Sequence, residues 1–229
     1  MTGARAACCA ALALAGCLGS TPGLTQSLCS SDGQPAARVL RERFISADCE
    51  SCWSDPRARP AARGEVALDW IVSSQRGADA ALSAAATRDA GWRLEGLARA
   101  LGPDALELRS PVAGAAGRLR VAHGLAFNGY LGTSISFTPA APAPAELSAW
   151  VVLVETIAAG TEGTPIERQL VRNALQLQWS AAARAKGQRS WRETRPMSIP
   201  EGARAERLRL VGWVQDGQGR ILQLAQSRC

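Results

Sequence analysis

The sequence has one histidine, His123, one lysine, Lys186, one tyrosine, Tyr130, and three phenylalanines. Each scarcity narrows the chemistry. A single imidazole with no Gly-x-Ser-x-Gly elbow argues against a Ser-His-Asp hydrolase. A single lysine with no Gly-x-x-x-x-Gly-Lys loop leaves no nucleotide-phosphate cradle, and Lys186 sits in Ala185-Lys186-Gly187, a turn signal. The net charge of +6 is carried by arginines spread along the chain, without a basic run interleaved with aromatics. A nucleic-acid footprint is normally clustered, so no nucleic-acid partner is expected. Beyond the N-terminus, no segment has the continuous apolar length of a membrane-spanning helix.

What is present begins with an export signal. Arg5 is followed by an apolar run from Ala6 to Gly16, rich in Ala and Leu. At about 11 residues it fits the core of a signal peptide and is too short to span a bilayer. It ends in Leu14-Ala15-Gly16-Cys17, which resembles the bacterial lipobox. That resemblance implies a lipid anchor on Cys17, against the alternative of ordinary cleavage nearby. Residues 1–16 are read as the signal peptide and 17–36, rich in Gly, Ser, Thr, Pro and Gln, as a tether. The expected location is the periplasm or cell envelope, with membrane contact only through Cys17.

Cysteine usage agrees with export. Outside the signal region lie Cys29, Cys49, Cys52 and Cys229, an even number suited to an oxidising compartment. Four cysteines allow three pairings. The neighbours Cys49 and Cys52 make one natural pair. Cys29 and Cys229 would then bridge the start of the mature chain to the last residue of the sequence. In the chain-entropy model, closing so long a loop stabilises by several kcal/mol.

Two patterns divide the remainder. Val39 to Ser46 and Glu65 to Ser73 read as strands, the second apolar enough for a sheet interior. Ala78 to Leu101 reads as an Ala-rich helix stopped by Gly102-Pro103. After Pro111, period-2 strands replace helices. They fall at Arg118–His123, Gly132–Thr138, Leu147–Thr156, Gln169–Trp179, Ser190–Ile199, Arg207–Gln215 and Arg220–Gln226. Turn signals such as Asn128-Gly129 and Asp216-Gly217-Gln218-Gly219 separate them. The expected fold is α+β: a reduced thioredoxin-like α/β segment over 37–112, then an antiparallel Ig-like β-sandwich over 113–229. Trp150, Trp179, Trp191 and Trp213 lie on these strands, where core packing is the default reading.

Cys49-Glu50-Ser51-Cys52 follows the first strand directly. The spacing suits a reversible disulfide, a structural disulfide or a soft metal site. Two thiolates do not fill a tetrahedral zinc site without a partner such as His123, and neither a metal nor a cofactor is expected. Phe44-Ile45-Ser46-Ala47-Asp48-Cys49-Glu50-Ser51-Cys52 resembles the start of thioredoxin-like proteins, in particular a poorly characterised secreted bacterial group with a β-rich C-terminal region. The resemblance implies Cys49 as attacking thiol, Cys52 as resolving thiol, and a proline beside the cysteines, for which Ser110-Pro111-Val112 is the candidate. It also suggests Asp69 as a buried proton acceptor; the alternative is a carboxylate on a solvated strand face or paired with arginine. Glu155 reads as a structural cross-strand partner of Arg168 or Arg172.

Three features oppose redox chemistry. Pro56 and Pro60 disfavour the helix whose N-terminus would activate Cys49. Asp48, Glu50 and Asp55 flank the thiols, and negative charge raises a thiol pKa. The α/β segment is also short. The leading expectation is therefore a non-catalytic envelope protein with a binding or assembly role. The alternative is a thiol-disulfide exchange protein using Cys49 and Cys52, with other exported proteins as partners.

Overall fold

The computed structural model describes residues 29–102, 104–114, 116–140, 144–184 and 187–229. The signal peptide, Cys17, most of the tether and Lys186 lie outside the described residues.

Among the described residues the protein is mostly β, with two sheets and few helices. The strands in chain order are β1 (Cys29–Ser30), β2 (Val39–Ser46), β3 (Glu65–Val72), β4 (Ala105–Pro111), β5 (Gly117–Phe127), β6 (Tyr130–Pro139), β7 (Glu146–Ile157), β8 (Arg168–Ser180), β9 (Trp191–Ser198), β10 (Leu208–Asp216) and β11 (Ile221–Gln226). Two α-helices, α1 (Glu50–Trp53) and α2 (Arg88–Gly96), interrupt them early. The expected strands after Pro111 all form, because alternating side chains and turn chemistry mark them locally. Asn128 and Gly129, both at positive φ, close the β5–β6 hairpin.

The strands assemble differently from the expected arrangement. A four-stranded sheet runs β1-β5-β6-β9, and a seven-stranded mixed sheet runs β11-β10-β7-β8-β3-β2-β4. The segments 37–112 and 113–229 therefore share one sheet, and an antiparallel sandwich confined to 113–229 does not form. The join is narrow: β3 and β8 run parallel with a single ladder position, Asp69 opposite Leu170. Residues 29–36, expected as the end of the tether, contain β1, which pairs with β5.

The large sheet is buried on both faces at its centre. On β7, Leu147, Ala149, Val151 and Leu153 meet Val121, Leu131, Ile135 and Phe137 of the small sheet. Trp150, Val152 and Val154 point the other way, into a core that includes Ala90 and Leu94 of α2. All four tryptophans on the C-terminal strands are buried. Trp150 stacks on Trp213 at 5.5 Å, and Trp179 stacks on Trp191 at 5.9 Å.

The expected helix 78–101 shrinks to nine residues. Thr87 starts it by accepting a hydrogen bond from Ala90 N at 3.2 Å. The preceding Ala-rich stretch forms short 3-10 turns at Gly77–Asp79 and Ser83–Ala85. Tertiary bonds outweigh helix propensity there. Leu82 N donates to Ala47 O at 2.9 Å and Thr87 N to Ile71 O at 3.1 Å, pinning the stretch beneath the cysteine turn.

The two sheets pack tightly at Gly212 of β10. A Cβ there would lie 2.6 Å from Val121 Cγ1 and 3.2 Å from both Ile135 Cδ1 and Trp150 O. Gly212→Val should destabilise by about 1–3 kcal/mol through overpacking. Urea unfolding should show a lower midpoint with an unchanged slope. A midpoint equal to wild type would mean that this contact is not tightly packed.

Candidate functional site

The cysteine turn leaves the C-terminal end of β2. Cys49 occupies the position before α1, and α1 is a single turn. Cys49 and Cys52 are bridged, as are Cys29 and Cys229. Cys49, the attacking thiol implied by the resemblance, is buried, and Cys52 is half-buried. Asp104 brings a carboxylate oxygen within 4.8 Å of both sulfurs of the Cys49–Cys52 pair. That negative charge would oppose thiolate formation after reduction.

Pro111 does not lie beside the cysteines. It pairs with Val39, at the opposite end of β2 from the turn. The chain enters β4 antiparallel to β2, so Asp104 and Ala105 reach the cysteine end and Pro111 the far end. The place next to the disulfide therefore goes to an acidic residue instead of a proline.

Strand alternation explains the charged layer beneath the turn. On β2, Leu40, Glu42 and Phe44 share one face, while Arg41 and Arg43 share the other. On β3, Glu65 and Asp69 lie on the face of the two arginines, brought there by the parallel register Val39–Glu65 to Ser46–Val72. Arg41 pairs with Glu65, and both side chains are almost fully buried.

Asp69 is completely buried and its oxygens are occupied. Oδ1 accepts from Arg168 Nη1 at 2.9 Å and lies 2.8 Å from Arg43 Nε. Oδ2 accepts from Arg43 Nη2 at 2.8 Å and from the backbone N–H of Gln169 at 3.2 Å. A carboxylate offers about four lone-pair sites, and three hydrogen bonds occupy this one. Asp69 is thus the arginine-paired carboxylate that the sequence offered as the alternative to a proton acceptor.

Arg168 carries this anchorage to the cysteine turn. Its Nη2 donates to Trp53 O at 2.7 Å and Cys52 O at 3.2 Å, and its Nε to Thr164 Oγ1 at 2.9 Å. Its guanidinium lies 4.7 Å from the Trp53 ring centre. Burial pushes the Arg168 pKa below its ordinary value, and Asp69 opposes that shift. Trp53 is buried and donates through Nε1 to Glu162 O at 2.8 Å. Arg59 O accepts from Arg41 Nη2 at 3.0 Å and Arg43 Nη1 at 3.2 Å, so the Pro56–Pro60 segment crosses the charged face as a loop.

Glu155 pairs with Arg172 at 2.7 Å, leaving Arg168 to Asp69. His123 stands opposite Cys29 on the β1–β5 ladder. A broad open cleft of about 810 Å³ includes Arg118, Gln169, Arg209, Gln226, Arg228 and Cys229 in its lining. The sequence reading missed Arg43 and Asp104. The signal for Arg43 was an arginine pair at i and i+2 inside an apolar strand; Asp104 had no local signal.

No protein-family model matches the chain, and no curated protein matches it. Among solved structures, HBP35 of Porphyromonas gingivalis is similar at a TM-score of 0.47 and 12% identity, covering 85% of this chain and 76% of that one. No helix among the described residues is long and apolar enough to cross a membrane.

Removing the carboxylate strands two buried guanidiniums. Asp69→Asn should cost about 3–5 kcal/mol in urea unfolding. Asp55→Asn, at the surface of the same segment, should leave the urea midpoint close to that of wild type. Equal, small effects would contradict the anchoring role of Asp69.

Proposed function

We propose that this chain is an exported cell-envelope protein with a non-catalytic binding or assembly role. On this reading its first segment has thioredoxin-like ancestry and keeps Cys49–Cys52 as a structural bridge. The observation that carries the proposal is the closure of Arg168 over the carbonyls of Cys52 and Trp53. Exchange requires one sulfur of the pair to be attacked and the other to leave. Here the turn is tied by its backbone to a buried ion cluster, and Cys49 is buried. α1 has only one turn to offer dipole stabilisation to a thiolate, and Asp104 acts against it.

Binding has surfaces available to it. Leu125, Phe127 and Tyr130 are exposed together at the β5–β6 hairpin tip. The cleft beside β11 presents arginines and amide side chains to a polar ligand segment. Export is supported by the signal-like N-terminus and by two disulfides.

Thiol-disulfide exchange is the competing reading, favoured by the half-exposed Cys52 and by the position of the pair at the end of a parallel strand. The reduction potential of this pair separates the two. It can be read by differential alkylation and mass spectrometry of the peptide holding Cys49 and Cys52. The structural reading predicts a value below about −300 mV. A value near about −200 mV, in the range of exchange catalysts, would overturn it.

A further inference from the structure

The second disulfide has an unused neighbour. Cys29 and His123 are direct partners in the β1–β5 ladder. A ring nitrogen of His123 and the sulfurs of Cys29 and Cys229 all lie within 4.8 Å of one another. The imidazole is only 5% exposed. Its Nδ1 lies 3.0 Å from Gly124 O. A carbonyl can only accept, so Nδ1 carries the proton and Nε2 the free lone pair. Nε2 is buried and has no hydrogen-bond partner. An imidazole oriented by Nδ1–H to a backbone carbonyl, with Nε2 free, is arranged as metal-ligating histidines are.

We propose that reduction of Cys29–Cys229 converts this corner into a binding site for a borderline divalent ion such as Zn²⁺, held by both thiolates and His123 Nε2. The site is separate from Cys49 and Cys52 and does not depend on their role. A dithiol reductant supplies two electrons. One of its thiolates attacks the bridge to form a mixed disulfide, and its second sulfur closes on the first. Cys29 and Cys229 are left as thiols and the reductant as a disulfide. Binding of the ion then releases one proton from each thiol.

The backbone keeps the ligands together when the bridge opens. Ser30 and Arg228 exchange two hydrogen bonds, Ser30 N to Arg228 O at 3.0 Å and Arg228 N to Ser30 O at 2.9 Å. Ser227 N donates to Leu210 O at 2.8 Å, and Leu210 N donates to Ser227 Oγ at 2.8 Å. Tetrahedral zinc with sulfur and nitrogen ligands sets its donor atoms about 3.3–3.8 Å apart. Once the bridge opens, side-chain rotation must part the two sulfurs to that spacing while His123 stays within reach of both. Burial lowers the His123 pKa against the opposing hydrogen bond to Gly124 O. Cys229 is exposed on the cleft wall, which leaves the fourth position open to water.

Cobalt titration of the full chain, reduced with a phosphine under anaerobic conditions, tests the proposal. One Co²⁺ per chain should bind, with the visible bands of tetrahedral cobalt and near-ultraviolet thiolate charge transfer. His123→Gln should weaken binding at least tenfold, and Cys49→Ala/Cys52→Ala should retain it. Differential alkylation of wild type gives a readout that needs no variant to fold: cobalt should protect Cys29 and Cys229. Protection of Cys49 and Cys52 instead, unchanged affinity in His123→Gln, or no binding by the reduced chain would overturn the proposal.

Discussion

A carboxylate sealed from solvent between two guanidiniums holds this molecule together. Asp69 sits where β3 meets β8, at the single ladder position between those two strands. Its side chain supplies what the backbone ladder there lacks, accepting from Gln169 N and pairing with Arg168 across the seam. Asp89 repeats the device from α2, accepting from Ala174 N at 2.8 Å. A buried ion cluster is a poor source of net stability compared with apolar packing, but breaking one is costly. Such a cluster therefore fixes which strands meet: a β8 displaced by one residue would leave Arg168 buried without its carboxylate and Asp69 with only one of its two arginines.

The cysteine turn inherits its geometry from that seam. Three arginines and two acids, Arg41, Arg43, Arg168, Glu65 and Asp69, lie on one face of the sheet. The excess positive charge is met by the carbonyls of Arg59, Cys52 and Trp53 and by the Trp53 ring. The loop over this face is thus ordered by electrostatics, and its prolines fit a path that leaves backbone carbonyls free to accept. A reactive cysteine pair needs local positive potential at the thiol. Here the positive groups are turned toward the carbonyl side of the turn, and Asp104 faces the sulfurs.

Much of the fold was legible because its signals are local. The seven C-terminal strands announce themselves by alternation and by turns such as Asn128-Gly129. Cysteine parity marks two disulfides, and the nearness of Cys49 to Cys52 in sequence singles out one of the three pairings. The core positions of Trp150, Trp179, Trp191 and Trp213 follow from strand placement. What was not legible depends on partners distant in sequence. Ala78 to Leu101 has helical composition, yet bonds to Ala47 and Ile71 bend its first half into 3-10 turns. Asp69 reads more readily as a surface acid or ion pair than as a relay, and only Arg43 and Arg168 placed beside it single out the ion pair. The division at 112 follows a real change in pattern, but sheet assembly ignores it, because β8 offers an open edge to β3.

Hydrogen exchange at the amides of Cys52, Trp53 and Ser54 in Arg168→Met, with both disulfides intact, tests this account most directly. These amides donate to Cys49 O and Glu50 O within the turn. If Arg168 holds the turn to the ion cluster, their exchange should accelerate at least tenfold while β7 and β10 remain protected. Unchanged protection at Cys52, Trp53 and Ser54 would show that the disulfide alone orders the turn, and would contradict the account.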